Sequence, residues 1–164
     1  MLRLIPRPLH VIALRSAHAI RIRWWRLSGA RLSGCRVLVL DAAERVLLIR
    51  HSYGNPHWML PGGGIKRGED PLATAAREVL EETSVRIDHA VEIDLVTEQV
   101  HGTPNEVRVI AGWTEEAPRP DGREIVEAAF FALDALPGNV SARLLPLLPG
   151  YVTAARAARP VPAD

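Results

Sequence analysis

The sequence predicts a single α/β domain, and three observations support that prediction. Five short segments have the length and apolar composition of strands, and turns rich in glycine, proline or acidic residues bound several of them. Residues 70–84 carry their apolar side chains at helical spacing, and a second helical segment follows near the end of the chain. A length of 164 residues is enough for one domain with a full hydrophobic core.

The predicted strands lie on both sides of the central helix. In chain order they cover residues 36–41, 45–50, 86–98, 106–115 and 125–133. The first two form a hairpin, and the loop between the third and fourth contains Gly102 and Pro104. A last helix is predicted over residues 144–158, broken by Pro146 and Pro149 because proline lacks the N–H that a helix interior requires.

The central helix has clear start and packing signals. Asp70 is a suitable N-cap, and Pro71 fits the first helical position, where its missing N–H is not needed. Four residues at helical spacing are expected to face the core: Leu72, Ala76, Val79 and Thr83.

Three glutamates lie close together on this helix. Glu81 and Glu82 follow Glu78 by three and four residues, so the three carboxylates share one patch of the helix surface. Like charges at this spacing destabilise a helix, whereas carboxylate oxygens are the ligands that a hard cation such as Mg²⁺ prefers. The patch therefore predicts a divalent metal site and a metal-dependent enzyme.

Residues 63–85 as a whole resemble the signature of the Nudix hydrolases. The family pattern is Gly-x5-Glu-x7-Arg-Glu-aliphatic-x-Glu-Glu-x-Gly-aliphatic. It is matched here by Gly63, Glu69, Arg77, Glu78, Val79, Glu81, Glu82 and Val85. Ser84 stands where the family has glycine, which costs about 1 kcal/mol if the helix ends there in a left-handed conformation.

The resemblance implies a fold and an activity. The fold is an α/β/α sandwich around a mixed β-sheet, expected here over residues 34–158, with a frayed tail over residues 159–164. The activity is Mg²⁺-dependent pyrophosphohydrolysis, with Mn²⁺ as a substitute, in which water attacks phosphorus. The substrate is a nucleoside diphosphate derivative or a nucleoside triphosphate. The alternative is a regulatory module of this fold that binds nucleotides without turnover.

Individual roles also follow from the resemblance. Glu78, Glu81 and Glu82 are expected to bind the metal, together with the carbonyl of Gly63. Arg77 and Glu81 are expected to act in catalysis, Arg77 by orienting the carboxylates that lie within its reach on the helix.

A general base is expected outside this motif, and three glutamates are candidates. Glu127 is favoured over Glu124 because Phe130 and Phe131 should anchor its segment to the core, whereas Glu124 lies near a turn. Glu98 is a third candidate.

Substrate contacts are expected from residues just before the glycine-rich loop. Arg50 is the candidate for phosphate, because its planar guanidinium matches phosphate oxygens. Tyr53 and Trp58 are candidates for stacking on a base. His51 and His57 are either substrate contacts or solvated loop residues.

The N-terminal region, residues 1–33, is predicted to be a basic extension. It contains seven arginines and no acidic residue, and its apolar residues suggest an amphipathic helix from about residue 8 to residue 27. Packing of this helix on the domain or on a second subunit is favoured, and binding to a membrane surface is the alternative. No run of apolar residues is long enough for a transmembrane helix.

Composition narrows the cellular context. The single cysteine, Cys35, excludes an internal disulfide and favours a cytoplasmic location. A net charge of +1 argues neither for nor against a polyanion partner. The resemblance implies a small nucleotide as substrate, and no stable nucleic-acid partner is expected. A homodimer remains open, and the sequence does not single out one nucleotide.

Overall fold

The computed structural model describes residues 32–54, 56–100 and 103–160. The strands are β1 (Leu32–Leu40), β2 (Val46–His51), β3 (Asp88–Val100), β4 (Thr103–Trp113) and β5 (Ile125–Phe131), and the α-helices are α1 (Pro71–Thr83) and α2 (Leu148–Ala158). The strands form one sheet in the order β3-β4-β1-β2-β5. β1 and β4 run parallel, while the other neighbouring pairs run antiparallel. The predicted α/β class and mixed sheet are confirmed.

Strand β1 contributes to two hydrophobic cores, one on each face of the sheet. Successive side chains of a strand point to opposite faces. Val37 and Val39 pack in one cluster with Val79 of α1. Leu38 and Leu40 pack in the other cluster, which also contains residues of α2. The two helices therefore cover opposite faces, and the domain is an α/β/α sandwich.

Asp70 and Ser84 cap the two ends of α1. The Asp70 carboxylate accepts a hydrogen bond from the Leu72 N–H at 3.3 Å, and Pro71 occupies the first turn. At the other end, Ser84 has φ 59° and ψ 18°, and its N–H donates to the Leu80 carbonyl at 2.9 Å. Serine therefore takes the left-handed conformation that glycine adopts more easily.

The core face of α1 is rotated relative to the prediction. Val79 and Thr83 are buried as expected, but Leu72 and Ala76 are only partly buried. Thr74 and Ala75 are fully buried instead. The Thr74 hydroxyl is satisfied inside the core because it donates to the Asp70 carbonyl at 3.0 Å.

The left-handed cap gives a stability prediction. The Ser84 hydroxyl also donates to the Arg119 carbonyl at 3.1 Å, so replacement by glycine removes a hydrogen bond as well as the Cβ strain. Ser84→Ala removes the same hydrogen bond and keeps the Cβ. We expect Ser84→Gly to be more stable than Ser84→Ala by about 0.5 to 1 kcal/mol. Glycine relieves the strain of the left-handed conformation, and the greater entropy of glycine in the unfolded chain offsets only part of this gain. Urea unfolding measures this, and equal stabilities would contradict the cap.

The C-terminal helix is shorter than predicted. It begins at Leu148 rather than at residue 144, and Pro149 lies in its first turn instead of breaking its interior. Proline is well tolerated there because the first N–H groups of a helix have no intrahelical partner. Residues 144–147 form turns that lead into the helix.

The third and fourth strands are longer on the hairpin side than predicted. β3 extends to Val100 and β4 begins at Thr103. Pro104, which was predicted to lie in the loop, therefore lies within β4, opposite Gln99.

The predicted N-terminal helix over residues 8–27 lies outside the described residues. Among the helices that the structure describes, none is long and apolar enough to cross a membrane.

Candidate metal centre

The glycine-rich loop lies against β1. The Val37 N–H donates to the Pro61 carbonyl at 2.8 Å, and the Cys35 N–H donates to the Gly63 carbonyl at 2.9 Å. Between these bonds, Gly62 has φ 151°, and a Cβ there would lie 2.2 Å from the Cys35 carbonyl oxygen. Only glycine fits, so the loop is fixed alongside the middle of β1.

The loop also touches the acidic helix through Gly63. A Cβ added to Gly63 would lie 2.5 Å from the carboxyl carbon of Glu78. The absence of a side chain at this position therefore lets the Glu78 carboxylate approach the loop backbone. The Gly63 carbonyl accepts one hydrogen bond from Cys35, which leaves one lone pair for another partner.

This contact predicts a large effect of a single methyl group. Gly63→Ala must displace the Glu78 carboxylate, and a displacement of about 1 Å at a reacting centre costs about 10²-fold in rate. Gly64→Ala is the matched control, because a Cβ at Gly64 meets no atom within 4 Å. We expect kcat/KM to fall about 10²-fold in the first variant only, with similar melting curves. Equal activity of the two variants would contradict a role for Glu78.

Glu82 is the most buried carboxylate of the motif. Only 8% of the residue is exposed, and its carboxylate accepts a hydrogen bond from the Gly62 N–H at 3.0 Å. Burial, reinforced by the charges of Glu78, Glu124 and Glu81, raises the pKa of Glu82 to about 8. Burial also raises the pKa of Glu78, with Arg77 opposing it. The fold thus holds the carboxylates of Glu82 and Glu78 where burial disfavours their charged forms.

Arg77 links the other acidic residues of the motif. Its guanidinium donates to Glu69 at 3.0 Å, to Glu78 at 2.8 Å and to Glu81 at 3.3 Å. Its hydrogen bonds lower the pKa of Glu69 to about 2. Arg77 therefore lies within hydrogen-bonding distance of the carboxylates that it was predicted to orient.

The donor set suits a hard divalent cation in its chemistry. It consists of carboxylate oxygens on one helix face and a carbonyl oxygen in the adjacent loop, and a cation would offset the cost of burying Glu82 near Glu78. Within the described ranges, the side chains of Asp, Glu, His and Cys form no group of three or more whose present arrangement could hold a metal ion. In this arrangement Glu78 and Glu81 are both ion-paired with Arg77.

The candidates for general base lie in three different environments. Glu127 on β5 makes a two-point ion pair with Arg50 of β2, at 2.9 and 2.7 Å, which lowers the pKa of Glu127. Glu98 is bound by Arg36 at 2.7 and 2.8 Å. Glu124 accepts a hydrogen bond from the Tyr53 hydroxyl, and its charge acts on both Glu78 and Glu82. The fold therefore brings Glu124 towards the acidic patch and engages the other two with arginines.

Two of the three candidates for substrate binding are paired with glutamates, and the third packs against the core. Arg50 and Tyr53 lie near the start of β5, each bound to a glutamate. Trp58 instead packs edge-on against Phe131, with ring centroids 5.0 Å apart, at the margin of the core beneath α2. Its backbone is also bonded to Asn139 and Ser141.

Sequence reasoning missed a cavity of about 530 Å³. Its lining includes Arg36, His57, Met59, Leu60, Ser141 and Arg143. These residues come from β1, from the segment before the glycine loop and from the segment before α2, which are far apart along the chain. No local motif signals such a site, because it depends on how the segments pack.

Comparison with known proteins identifies the family. The model of the NUDIX domain matches residues 31–151. The NAD-capped RNA hydrolase NudC of Erwinia tasmaniensis is 27% identical over 123 residues, which is 70% of this chain and 46% of that protein. The RNA pyrophosphohydrolase of Rhizobium meliloti is 56% identical over 47 residues, which is 27% of this chain and 28% of that protein. The matches span less than half the length of these curated relatives.

Solved structures agree on the fold. A UDP-X diphosphatase superimposes with a TM-score of 0.66 at 21% identity, over 79% of this chain and 65% of that chain. The MutT NUDIX hydrolase from Burkholderia pseudomallei superimposes with a TM-score of 0.63 at 21% identity, over 76% and 98% of the two chains. Because the family model covers most of the chain and the matching motif forms the expected loop and helix, this protein belongs to the Nudix hydrolase family.

Proposed function

We propose that this protein hydrolyses the diphosphate linkage of a nucleotide derivative, using a divalent metal ion, preferably Mg²⁺. The observation that carries the proposal is the burial of Glu82 against Gly62, with the charges of Glu78 and Glu124 close enough to raise the Glu82 pKa further. Burying several carboxylates close together costs folding free energy, and a bound cation offsets that cost. Such a cluster is therefore expected at a cation-binding site rather than in a purely structural role.

The metal ligands would be Glu78, Glu81 and Glu82, with the Gly63 carbonyl. Neutralisation of the phosphate oxygens during cleavage is the chemistry that the divalent ion supplies when bound. Arg77 holds Glu78 and Glu81 in position, and Glu69 holds Arg77 from the other side. The Gly62 N–H fixes the orientation of the Glu82 carboxylate.

Glu124 is the better candidate for the proton acceptor. A base must reach the attacking water, so it must lie beside the acidic patch rather than at a distance from it. The charge of Glu124 acts on Glu78 and Glu82, and the Tyr53 hydroxyl restrains its side chain. We therefore assign Tyr53 the role of positioning Glu124 and give Glu127 second place, because its carboxylate is occupied by Arg50.

Arg50 is suited to contact phosphate. Its guanidinium lies on β2 in an exposed ion pair with Glu127, and an exposed pair of this kind contributes little to stability. Only two of its five N–H donors are bonded to Glu127, and the others would contact a phosphate while that pair is kept.

A phosphate-release screen tests the function. Full-length protein would be assayed with Mg²⁺ or Mn²⁺ and with EDTA, on nucleoside triphosphates, nucleotide sugars, dinucleoside polyphosphates and a short RNA with a 5′-triphosphate. Metal-dependent turnover of at least one class, lost in EDTA, is expected. Tight nucleotide binding without turnover in any class would overturn the proposal and favour a regulatory module.

A further inference from the structure

We propose that the N-terminal arm, residues 1–31, docks on the part of the sheet face that α1 leaves exposed, with Leu95 at the centre of the contact. The arm lies outside the described residues and contains the amphipathic helix predicted over residues 8–27. The surface that receives it belongs to the hairpin of β3 and β4. Such docking is independent of the proposed catalytic activity.

Leu95 lies on the α1 side of the sheet. Its register partner on β4 is Arg108, and Ile110, two residues further along β4, is buried in the cluster that α1 covers. Register partners share a face of the sheet, as do residues two apart on a strand. Leu95 nevertheless remains 50% exposed, and the next pair on this side, Thr97 and Glu106, is exposed as well. One exposed leucine does not by itself require a partner, but charge and the course of the chain identify one.

The charge of the hairpin is opposite to that of the arm. Residues 88–113 contain five acidic side chains, and Arg108 is their only lysine or arginine. The arm contains seven arginines and no acidic residue. Glu92 and Glu106 lie on the same face as Leu95, so arginines of the arm would meet carboxylates around an apolar contact. A second copy is a poorer partner, because two acidic hairpins would repel each other.

The chain enters the sheet beside this face. Leu32 pairs with Asn105 and Ser33 pairs with Glu106, at the end of β4 that adjoins the hairpin turn. Leu95 lies two strands across from Leu32 and three residues along, which is roughly 14 Å at the usual strand spacings. Residues 28–31 can span about 14 Å when extended, and a helix over residues 8–27 would be about 30 Å long. The predicted helix can therefore reach Leu95 within one chain.

Chymotrypsin digestion of the full-length protein tests the docking. This protease cleaves after aromatic residues, and the arm offers Trp24 and Trp25. We expect Leu95→Lys to speed cleavage there about 10-fold, because lysine removes the apolar contact and repels the arginines, and cleavage follows the population of released arm. Leu145→Lys is the matched control, since Leu145 is 48% exposed in the segment before α2, and it should leave the rate unchanged. Mass spectrometry identifies the fragments.

The other occupants give different results. Equal cleavage rates in the unchanged protein and in Leu95→Lys overturn docking at this face. Protection that rises with protein concentration overturns docking within one chain and assigns the arm to a second copy. Protection that appears only with vesicles containing phosphatidylserine overturns the docking and assigns the arm to a membrane surface. If melting curves show that Leu95→Lys does not fold, Glu106→Lys replaces it, because Glu106 is exposed and the change adds the same repulsion.

Discussion

Glu82→Gln is expected to lower kcat by at least about 10²-fold at saturating Mg²⁺, while the fold is retained. Loss of a residue that merely supports a metal ligand already costs 10- to 100-fold, and loss of a ligand should cost no less. Glutamine keeps the size of the side chain and still accepts the hydrogen bond from the Gly62 N–H. Turnover close to that of the unchanged protein would refute the assignment of Glu82 as a metal ligand.

The same variant has a second expected effect on stability without metal. The pKa of Glu82 is about 8 in the folded protein and has its ordinary value of 4.5 in the unfolded chain. The carboxyl is protonated in both states below pH 4.5, and the folded state must bury its charge above pH 8. The free energy of unfolding in EDTA should therefore fall by a few kcal/mol as the pH rises through this range.

Glu82→Gln should remove most of this pH dependence, so at pH 8 in EDTA the variant should melt at a higher temperature than the unchanged protein. Glu81→Gln is the control because Glu81 is exposed, with 60% of its side chain accessible, and its replacement should change the melting temperature little. Melting curves in EDTA at several pH values measure this. A pH dependence that persists in the Glu82 variant would mean that another group carries it.

Glu124→Gln is expected to lower kcat by about 10²- to 10⁴-fold at neutral pH, with little change in nucleotide affinity. The reason is that the charge of Glu124 helps to raise the pKa of Glu82 and that the Tyr53 hydroxyl bonds the Glu124 carboxylate. Glu127→Gln is the matched comparison three residues further along the chain, and it should change kcat far less because Glu127 pairs with Arg50. Steady-state kinetics with Mg²⁺ measure both variants.

The reverse pattern, with the large loss in Glu127→Gln, would return the role to Glu127. A small loss in both variants would exclude Glu124 and Glu127 and leave Glu98 as the remaining candidate outside the motif. Tyr53→Phe adds a check that separates positioning from proton transfer. It should lower kcat less than Glu124→Gln does, because the carboxylate itself remains and only its restraint is lost.

The acidic motif and its helix were predictable because their information is local. The N-cap at Asp70, the proline in the first turn and the spacing of Glu78, Glu81 and Glu82 all lie within one short segment. A helix converts such spacing directly into positions on its surface. The sequence left open whether Ser84 keeps the left-handed conformation typical of the family's glycine, and the structure shows that it does, with φ 59°.

The choice between Glu124 and Glu127 depended on packing. Both residues follow the same turn, and their sequence neighbours favoured Glu127. The pairing of β2 with β5 places Arg50 opposite Glu127, and a shift of register next to it brings His51 opposite Ile125. One arginine on a neighbouring strand therefore occupies the favoured carboxylate, and strand register over this distance along the chain is not readable from local pattern.

The sequence by itself determined the family, the helix that carries the carboxylates and the α/β class of the fold. The tertiary structure alone decided which carboxylate is buried, which glutamate approaches the patch, and that Arg36 meets Glu98 across β4 beside a cavity. The physical reason is that spacing along one helix is fixed by its backbone geometry, whereas burial, charge pairing and cavities arise only when distant segments pack together.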